Sequence, residues 1–133
     1  MGPDGLGLIA YLDSTNTNLK VAHCSNVNCT SATITTLDTA GGTMPSVTIG
    51  TDGLGLISYN AGNQDLKVAH CSNINCTAAT LLAVDTGGSV GDGTSITTGA
   101  DGLGLIAYVD LTNLDLKVAH CANQFCSPYL RRR

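Results

Sequence analysis

One phrase occurs three times in this chain, and the repetition constrains the fold more than any other feature. DGLGLIAY at residues 4–11 returns as DGLGLISY at residues 52–59 and as DGLGLIAY at residues 101–108. Each copy is followed by LKVAHC and then by a second cysteine five positions later. A period of about 48 residues is typical of solenoids, propellers and arrays of small units. The chain is therefore expected to contain three equivalent structural units.

Residue patterns within each copy predict four short strands and no helix. In the second copy the strands are SVTIG at 46–50, LGLISY at 54–59, LKVAHC at 66–71 and TLLAV at 80–84, with equivalents such as 6–11 and 19–24 in the first. An Asp-Gly pair between two apolar runs is a strong hairpin signal. Gly55 inside a strand predicts the close approach of a neighbouring backbone. The fold class is therefore predicted as all-β, built from antiparallel four-stranded meanders.

A meander of four strands in about 48 residues resembles a β-propeller blade. The phrase SITTGADGLGLIAYVD followed by LDLKVAHC is similar in layout to NHL-type and sialidase-type blades. More specifically, it resembles repeats of bacterial exported proteins that carry DGLPLISYYD, DLKVAHC and a second cysteine. The resemblance covers essentially the whole chain, with Gly7, Gly55 and Gly104 standing where that pattern has proline. The sialidase Asp-box and catalytic set are missing from the sequence, so the resemblance implies no enzymatic activity.

The main alternative fold is a β-trefoil, which also has three four-stranded units in a chain of this length. A trefoil core usually needs bulky aromatic residues, and this chain has no Trp and one Phe. Gly-rich strands also suit the crowded centre of a propeller, so the propeller is favoured over the trefoil. A parallel β-solenoid is a third possibility.

The predicted organisation is a single repeat domain over residues 1–133. Blade 1 covers about residues 4–43, blade 2 about 44–92 and blade 3 about 93–130, with a basic tail at 131–133. The first blade begins at its Asp-Gly turn and so lacks its own first strand. Because propellers typically use four to eight blades, we expect the ring to close by homo-oligomerisation. A homodimer with six blades is favoured, and a homotrimer with nine is the alternative.

Six cysteines in three equivalent pairs predict local disulfides: Cys24–Cys29, Cys71–Cys76 and Cys121–Cys126. Such pairs indicate an oxidising compartment, either extracellular or periplasmic. Free thiols and a metal site are the alternatives. Adjacent residues of a strand point to opposite faces, so an extended strand cannot direct His23 and Cys24 to one ion. Neither a metal nor a cofactor is expected.

The remaining repeated polar residues are expected to be structural. His23, His70 and His120 are predicted to be core or interface residues that make a hydrogen bond. Lys20, Lys67 and Lys117 lie on the opposite strand face, where they pair with Asp or extend to a blade edge. Asp4, Asp52 and Asp101 are interpreted as turn formers. Tyr11, Tyr59 and Tyr108 are predicted to cap the core with the hydroxyl in water, and sugar stacking on them is the alternative.

Charge and hydropathy narrow the function classes. The net charge is −4, and Arg131–Arg133 is the only basic run, so nucleic acid is not an expected partner. No apolar stretch has the length needed to span a bilayer, so a membrane is not expected either. The predicted function is a non-enzymatic binding or scaffold propeller, exported, with itself as partner. A multivalent lectin that binds glycans is the alternative, and an enzyme of unknown class is third.

Overall fold

The chain folds into short β-strands. The structure, a computed structural model, describes residues 1–127 and the backbone of residues 129–132. In that part of the chain it contains no helix, and so none long and apolar enough to cross a membrane. The strands are β1 (Leu8–Asp13), β2 (Asn18–Cys24), β3 (Ala32–Asp38), β4 (Gly41–Ile49), β5 (Gly55–Ala61), β6 (Leu66–Cys71), β7 (Ala79–Asp85), β8 (Val90–Thr98), β9 (Gly104–Asp110), β10 (Asp115–Cys121) and β11 (Tyr129–Arg132).

These strands form three consecutive antiparallel meanders, which we call unit 1 (β1–β3), unit 2 (β4–β7) and unit 3 (β8–β11). Within each unit, every strand pairs with the next one along the chain. A single parallel bridge between Asn18 and Gly41 joins unit 1 to unit 2, and unit 3 forms a separate sheet. The sheets are open rather than closed. The all-β prediction is confirmed.

Strand boundaries differ from the predicted ones mainly at glycines and turns. β6 coincides with the predicted strand, whereas β1 begins at Leu8 because Leu6 belongs to the preceding turn, where its N–H donates to the Asp4 carboxylate. β4 begins at Gly41, five residues before the predicted start at residue 46, and its equivalent β8 begins at Val90. A Cβ on Gly91 would lie 2.7 Å from the Leu66 Cα, so this glycine permits close strand packing rather than marking a loop.

The C-terminal strand overlaps the predicted basic tail. β11 pairs with β10 and extends to Arg132, so the backbone of residues 131 and 132 belongs to the sheet of unit 3. Arg133 lies outside the described residues.

The hydrophobic core lies between the units rather than within any one of them. One cluster joins unit 1 to unit 2 and contains Leu8, Leu19, Val21, Ile57, Tyr59 and Ala69 among its members. The other joins unit 2 to unit 3 and includes Leu56, Leu66, Val68, Ile106, Tyr108 and Ala119. Because side chains alternate between the two sides of a strand, each sheet has two apolar faces to bury. The units therefore stack face to face.

Candidate functional site at the junctions and end faces

Each unit presents two chemically different sheet faces. In unit 1, Ile9 lies opposite Ala22 and Tyr11 lies opposite Lys20, so these four side chains share one face. We call this the front face; its equivalents are Ile57, Tyr59, Lys67 and Ala69 in unit 2, and Ile106, Tyr108, Lys117 and Ala119 in unit 3. The back face carries two leucines, a valine and a histidine: Leu8, Leu19, Val21 and His23, then Leu56, Leu66, Val68 and His70, then Leu105, Leu116, Val118 and His120. At both junctions the back face of one unit covers the front face of the next.

A buried polar triad crosses the first junction. Asp38 ends β3 of unit 1, and its Oδ2 accepts hydrogen bonds from the Tyr59 hydroxyl at 2.8 Å and from the Lys67 Nζ at 3.1 Å. Its Oδ1 accepts from the Ala40 N–H at 2.8 Å. The carboxylate of one unit is thus held by a phenol and an ammonium of the next. Charge-assisted bonds of this kind are stronger than neutral ones.

The second junction repeats the same triad one unit later. Asp85 Oδ2 accepts from the Tyr108 hydroxyl at 2.7 Å and from the Lys117 Nζ at 3.1 Å. Lys117 also contacts the Asp110 Oδ2 at 3.2 Å, and its side chain is buried. One lysine can therefore hold a carboxylate of its own unit and another of the preceding unit at the same time.

The protonation states of the first triad follow from its contacts. Burial alone would raise the pKa of Asp38, but the hydrogen bonds from Ala40, Tyr59 and Lys67 outweigh it and hold that pKa below its ordinary value. Burial raises the pKa of Tyr59, and the hydrogen bond to the Asp38 carboxylate raises it further. The triad thus keeps an ionised carboxylate beside a neutral phenol. It is suited to holding units together.

A second repeated pair ties β2, β6 and β10 to the turns that precede β1, β5 and β9. Asp Oδ2 lies 2.9, 2.7 and 2.6 Å from the His Nε2 in the pairs Asp4–His23, Asp52–His70 and Asp101–His120. The other oxygen of each Asp accepts the N–H two residues ahead. That backbone bond is the main cause that holds the pKa of Asp4 and Asp101 below the usual value, and the histidine adds to it. The turn role of the aspartates agrees with expectation, and the partner of each histidine was not predicted.

The three predicted disulfides are confirmed. Cys24–Cys29, Cys71–Cys76 and Cys121–Cys126 are bonded, with Cα–Cα distances of 4.8, 4.9 and 4.3 Å. In each loop the second cysteine has positive φ and its N–H donates to the carbonyl of the asparagine three residues earlier. The spacing of the cysteines predicts a local bridge, and the tight turn between them brings their Cα atoms close enough to form it.

The tyrosines require a correction. Tyr59 and Tyr108 are fully buried, and their hydroxyls bond to aspartates, so the prediction that these hydroxyls lie in water is wrong. A buried ring also offers no face on which a sugar could stack. The reason is that the stacked units cover the front face, which a reading of one repeat in isolation does not reveal. Tyr11, on the front face of unit 1, is only half-buried.

The two ends of the stack leave one face of each kind uncovered. On the front face, Ile9 is 48% exposed, whereas its equivalents Ile57 and Ile106 are 0% exposed. On the back face, Leu116 is 69% exposed, whereas Leu19 and Leu66 are 0% exposed. Lys20, which has no preceding unit beside it in the described chain, bonds to Asp13 of its own unit at 2.9 Å. The front face of unit 1 and the back face of unit 3, which we call the end faces, are therefore the candidate functional surface.

Comparison with known proteins adds no identity. No protein-family model matches the chain, and no curated protein matches it. Among the described residues, no group of three or more His, Cys, Asp or Glu side chains is placed to hold a metal ion.

Proposed function

We propose that this protein is a non-enzymatic scaffold or binding module of the β-propeller type, which binds a second copy of itself through its two end faces. The observation that carries the proposal is the exposure pattern. Ile9 at one end and Leu105 and Leu116 at the other are exposed, whereas their equivalents are buried at both internal junctions, where a back face covers a front face. The front face of unit 1 and the back face of unit 3 therefore match the two kinds of face that cover each other at the internal junctions.

The energetics favour covering these faces. Fully burying a large aliphatic side chain contributes about 1.5–3 kcal/mol relative to leaving it in water. Ile9, Leu105 and Leu116 are all at least one-third exposed and lie on the two end faces. Because front and back differ, the contact between copies is head-to-tail, and such contacts form a ring where the rotation closes. Two copies give six units, within the usual four to eight of propellers, and three copies give nine.

The repeated polar residues support a scaffold rather than an enzyme. In unit 2, the tyrosine and the lysine bond to the aspartate of unit 1, and the histidine bonds to the aspartate of its own turn. The first two bonds hold neighbouring units together, and the third holds a turn to its own sheet. Tyr59 and Tyr108, two of the three tyrosines proposed to bind sugars in a lectin, are buried, which favours the scaffold over the lectin. The three intrachain disulfides are compatible with an oxidising environment, and we include an exported, extracellular or periplasmic location in the proposal.

A mixing experiment tests the head-to-tail contact. Ile9→Asp alters only the front end face and Leu116→Asp only the back end face, so each variant alone should be a monomer by analytical ultracentrifugation. Mixed in equal amounts, they should dimerise, because one of the two junctions of the mixed dimer carries neither substitution. Ile74→Asp is the matched control: Ile74 is 42% exposed in the loop between β6 and β7 and lies on neither end face.

The outcomes separate the alternatives. Restored association in the mixture, with the Ile74→Asp variant associating like the unmodified protein, supports the proposal. Variants that associate normally on their own, or a mixture that stays monomeric, would overturn it.

A further inference from the structure

One edge of β1 is open. β5 lies between β4 and β6, and β9 lies between β8 and β10. Their equivalent β1 pairs with β2 alone in the part of the chain that the structure describes. An unpaired strand edge presents a row of N–H and C=O groups to which another strand can add. Unit 1 therefore has the backbone template for a fourth strand.

A cavity lies beside this edge. It measures about 300 Å³ and is lined by Met1, Leu8, Val47, Thr48 and Ile49. Four of these residues belong to β1 and β4, so the space is bounded on one side by unit 1 and on the other by the first strand of unit 2. A space of this size holds several side chains.

At the next junction the corresponding space is filled by β4. There the equivalent walls are β5 and β8, and β4 bonds to β8 through side chains. The Ile96 N–H donates to the Ser46 Oγ at 3.1 Å, and the Thr98 hydroxyl donates to the Ile49 carbonyl at 3.1 Å. β4 also pairs with β5, with Val47 opposite Ile57. The molecule thus contains its own example of a strand seated in this site.

The turn that would follow such a strand is already formed. The Gly2 N–H donates to the Leu6 carbonyl at 2.8 Å, and the Gly5 N–H donates to the Gly2 carbonyl at 3.0 Å. The same two bonds join Gly50 to Leu54 and Gly53 to Gly50 after β4. Met1 consequently stands at the register position of Ile49, against the cavity. One end of the site is thereby fixed in register with β1.

We propose that this slot, formed by the free edge of β1 and the wall at Val47–Ile49, binds an extended strand of a partner polypeptide by β-augmentation. The partner strand runs antiparallel to β1 and places a β-branched apolar residue opposite Ile9, as Val47 stands opposite Ile57 and Ile96 opposite Ile106. A serine precedes that residue, because Ser46 and Ser95 hold this position in β4 and β8.

The partner is thus recognised by main-chain pairing and by an alternating pattern. It is Ser, then Val or Ile, then Thr, and it ends before the position opposite Gly7, which Met1 occupies. The serine hydroxyl takes the hydrogen bond of the Val47 N–H, as Ser46 takes that of Ile96. This inference does not depend on the proposed ring, since the slot is an edge of the sheet whereas the ring uses sheet faces.

A synthetic peptide tests the slot directly. The probe is fluorescein-labelled VGDGTSIT, the sequence of residues 90–97, titrated with the intact protein and followed by fluorescence anisotropy. Saturable binding is expected. A peptide with Asp in place of the threonine that follows its isoleucine should bind at least tenfold more weakly, because that residue would lie opposite Leu8 and face the cavity. A scrambled peptide of the same composition should not bind.

Amide hydrogen exchange locates the bound peptide. Saturating peptide should slow the exchange of amides in Leu8–Asp13 while leaving those of Gly55–Ala61, which already lie between two strands, unchanged. Binding with protection confined to β1 and the wall of β4 supports the slot. No saturable binding, equal binding of the scrambled peptide, or protection elsewhere in the molecule would overturn it.

Discussion

Tyr59 and Tyr11 stand in the same phrase and on the same face of their units, yet their surroundings differ completely. Tyr59 is covered by unit 1 and donates to Asp38, whereas Tyr11 is half-buried and its neighbour Lys20 turns to Asp13 of its own unit. The local sequences are nearly identical, so the difference comes from the neighbouring unit. The burial of a repeated residue and the group to which it bonds therefore depend on the unit that stacks on it.

The largest expected effect comes from the glycine in the second strand of the repeat. A Cβ on Gly55 would lie 2.6 Å from the Leu8 Cδ2 across the junction and 2.8 Å from the Cys71 Sγ, whereas one on Gly7 would meet only the Cys24 side chain, at 3.0 Å. Gly55→Val should lower the free energy of unfolding by about 3 kcal/mol through overpacking. Gly7→Val should cost clearly less. Urea unfolding of both variants measures the difference, and equal losses would mean that the junction is not the crowded site.

Removing the tyrosine hydroxyl tests the junction triad, with a smaller expected loss of stability. Tyr59→Phe removes a buried hydrogen bond to a charged carboxylate and should destabilise the protein by about 1.5 kcal/mol. Tyr11→Phe should have almost no effect, because no aspartate of a preceding unit lies beside it in the described chain. The readout is the urea midpoint of each variant at neutral pH. A Tyr11→Phe loss as large as that of Tyr59→Phe would contradict the comparison.

Alkaline pH should distinguish the same two tyrosines. The folded pKa of Tyr59 is raised above its ordinary value, by burial first and by Asp38 second. Its contribution to stability is therefore complete below about pH 10 and is lost as the pH rises further. Between pH 9 and 11 the stability of the unmodified protein and of Tyr11→Phe should fall more steeply than that of Tyr59→Phe. Parallel curves for all three proteins would refute this assignment.

The smallest expected effect on stability comes from an ion pair that lies within one unit, Asp13 with Lys20. Asp13 and Asp110 have their pKa lowered to about 2, chiefly by hydrogen bonds from Asn16 and Asn113 and then by their own unit's lysine. Since these folded values lie below the unfolded one, the contribution is present above about pH 4 and is lost as the pH falls towards 2. Asp13→Asn should flatten the stability profile over that range. A profile that keeps the full slope in this variant would show that the pair does not contribute.

Much of the architecture could be predicted from the sequence. Periodicity and the Asp-Gly turns predict the strands near Leu66–Cys71 and their equivalents, and the cysteine spacing predicts the disulfides. These features depend on residues close together in the chain. They are therefore visible within a single repeat.

The candidate site could not be predicted in the same way, because it depends on contacts between repeats. Asp38 bonds to Tyr59 and Lys67, 21 and 29 positions away, and no local pattern marks that pairing. The signal in the sequence is that an aspartate ends the last strand of units 1 and 2, at Asp38 and Asp85, while the next unit supplies a tyrosine and a lysine. The burial of Tyr59 follows from the same long-range stacking, which is why its hydroxyl was wrongly predicted to lie in water.

In the proposed dimer, the end faces of one copy are covered by those of a second copy. The most direct measurement is the mass of the unmodified, oxidised protein by light scattering coupled to size exclusion. We predict about 27 kDa, twice the 13.5 kDa of one chain. A single species at the mass of one chain, stable over a range of micromolar concentrations, would rule out the proposed dimer.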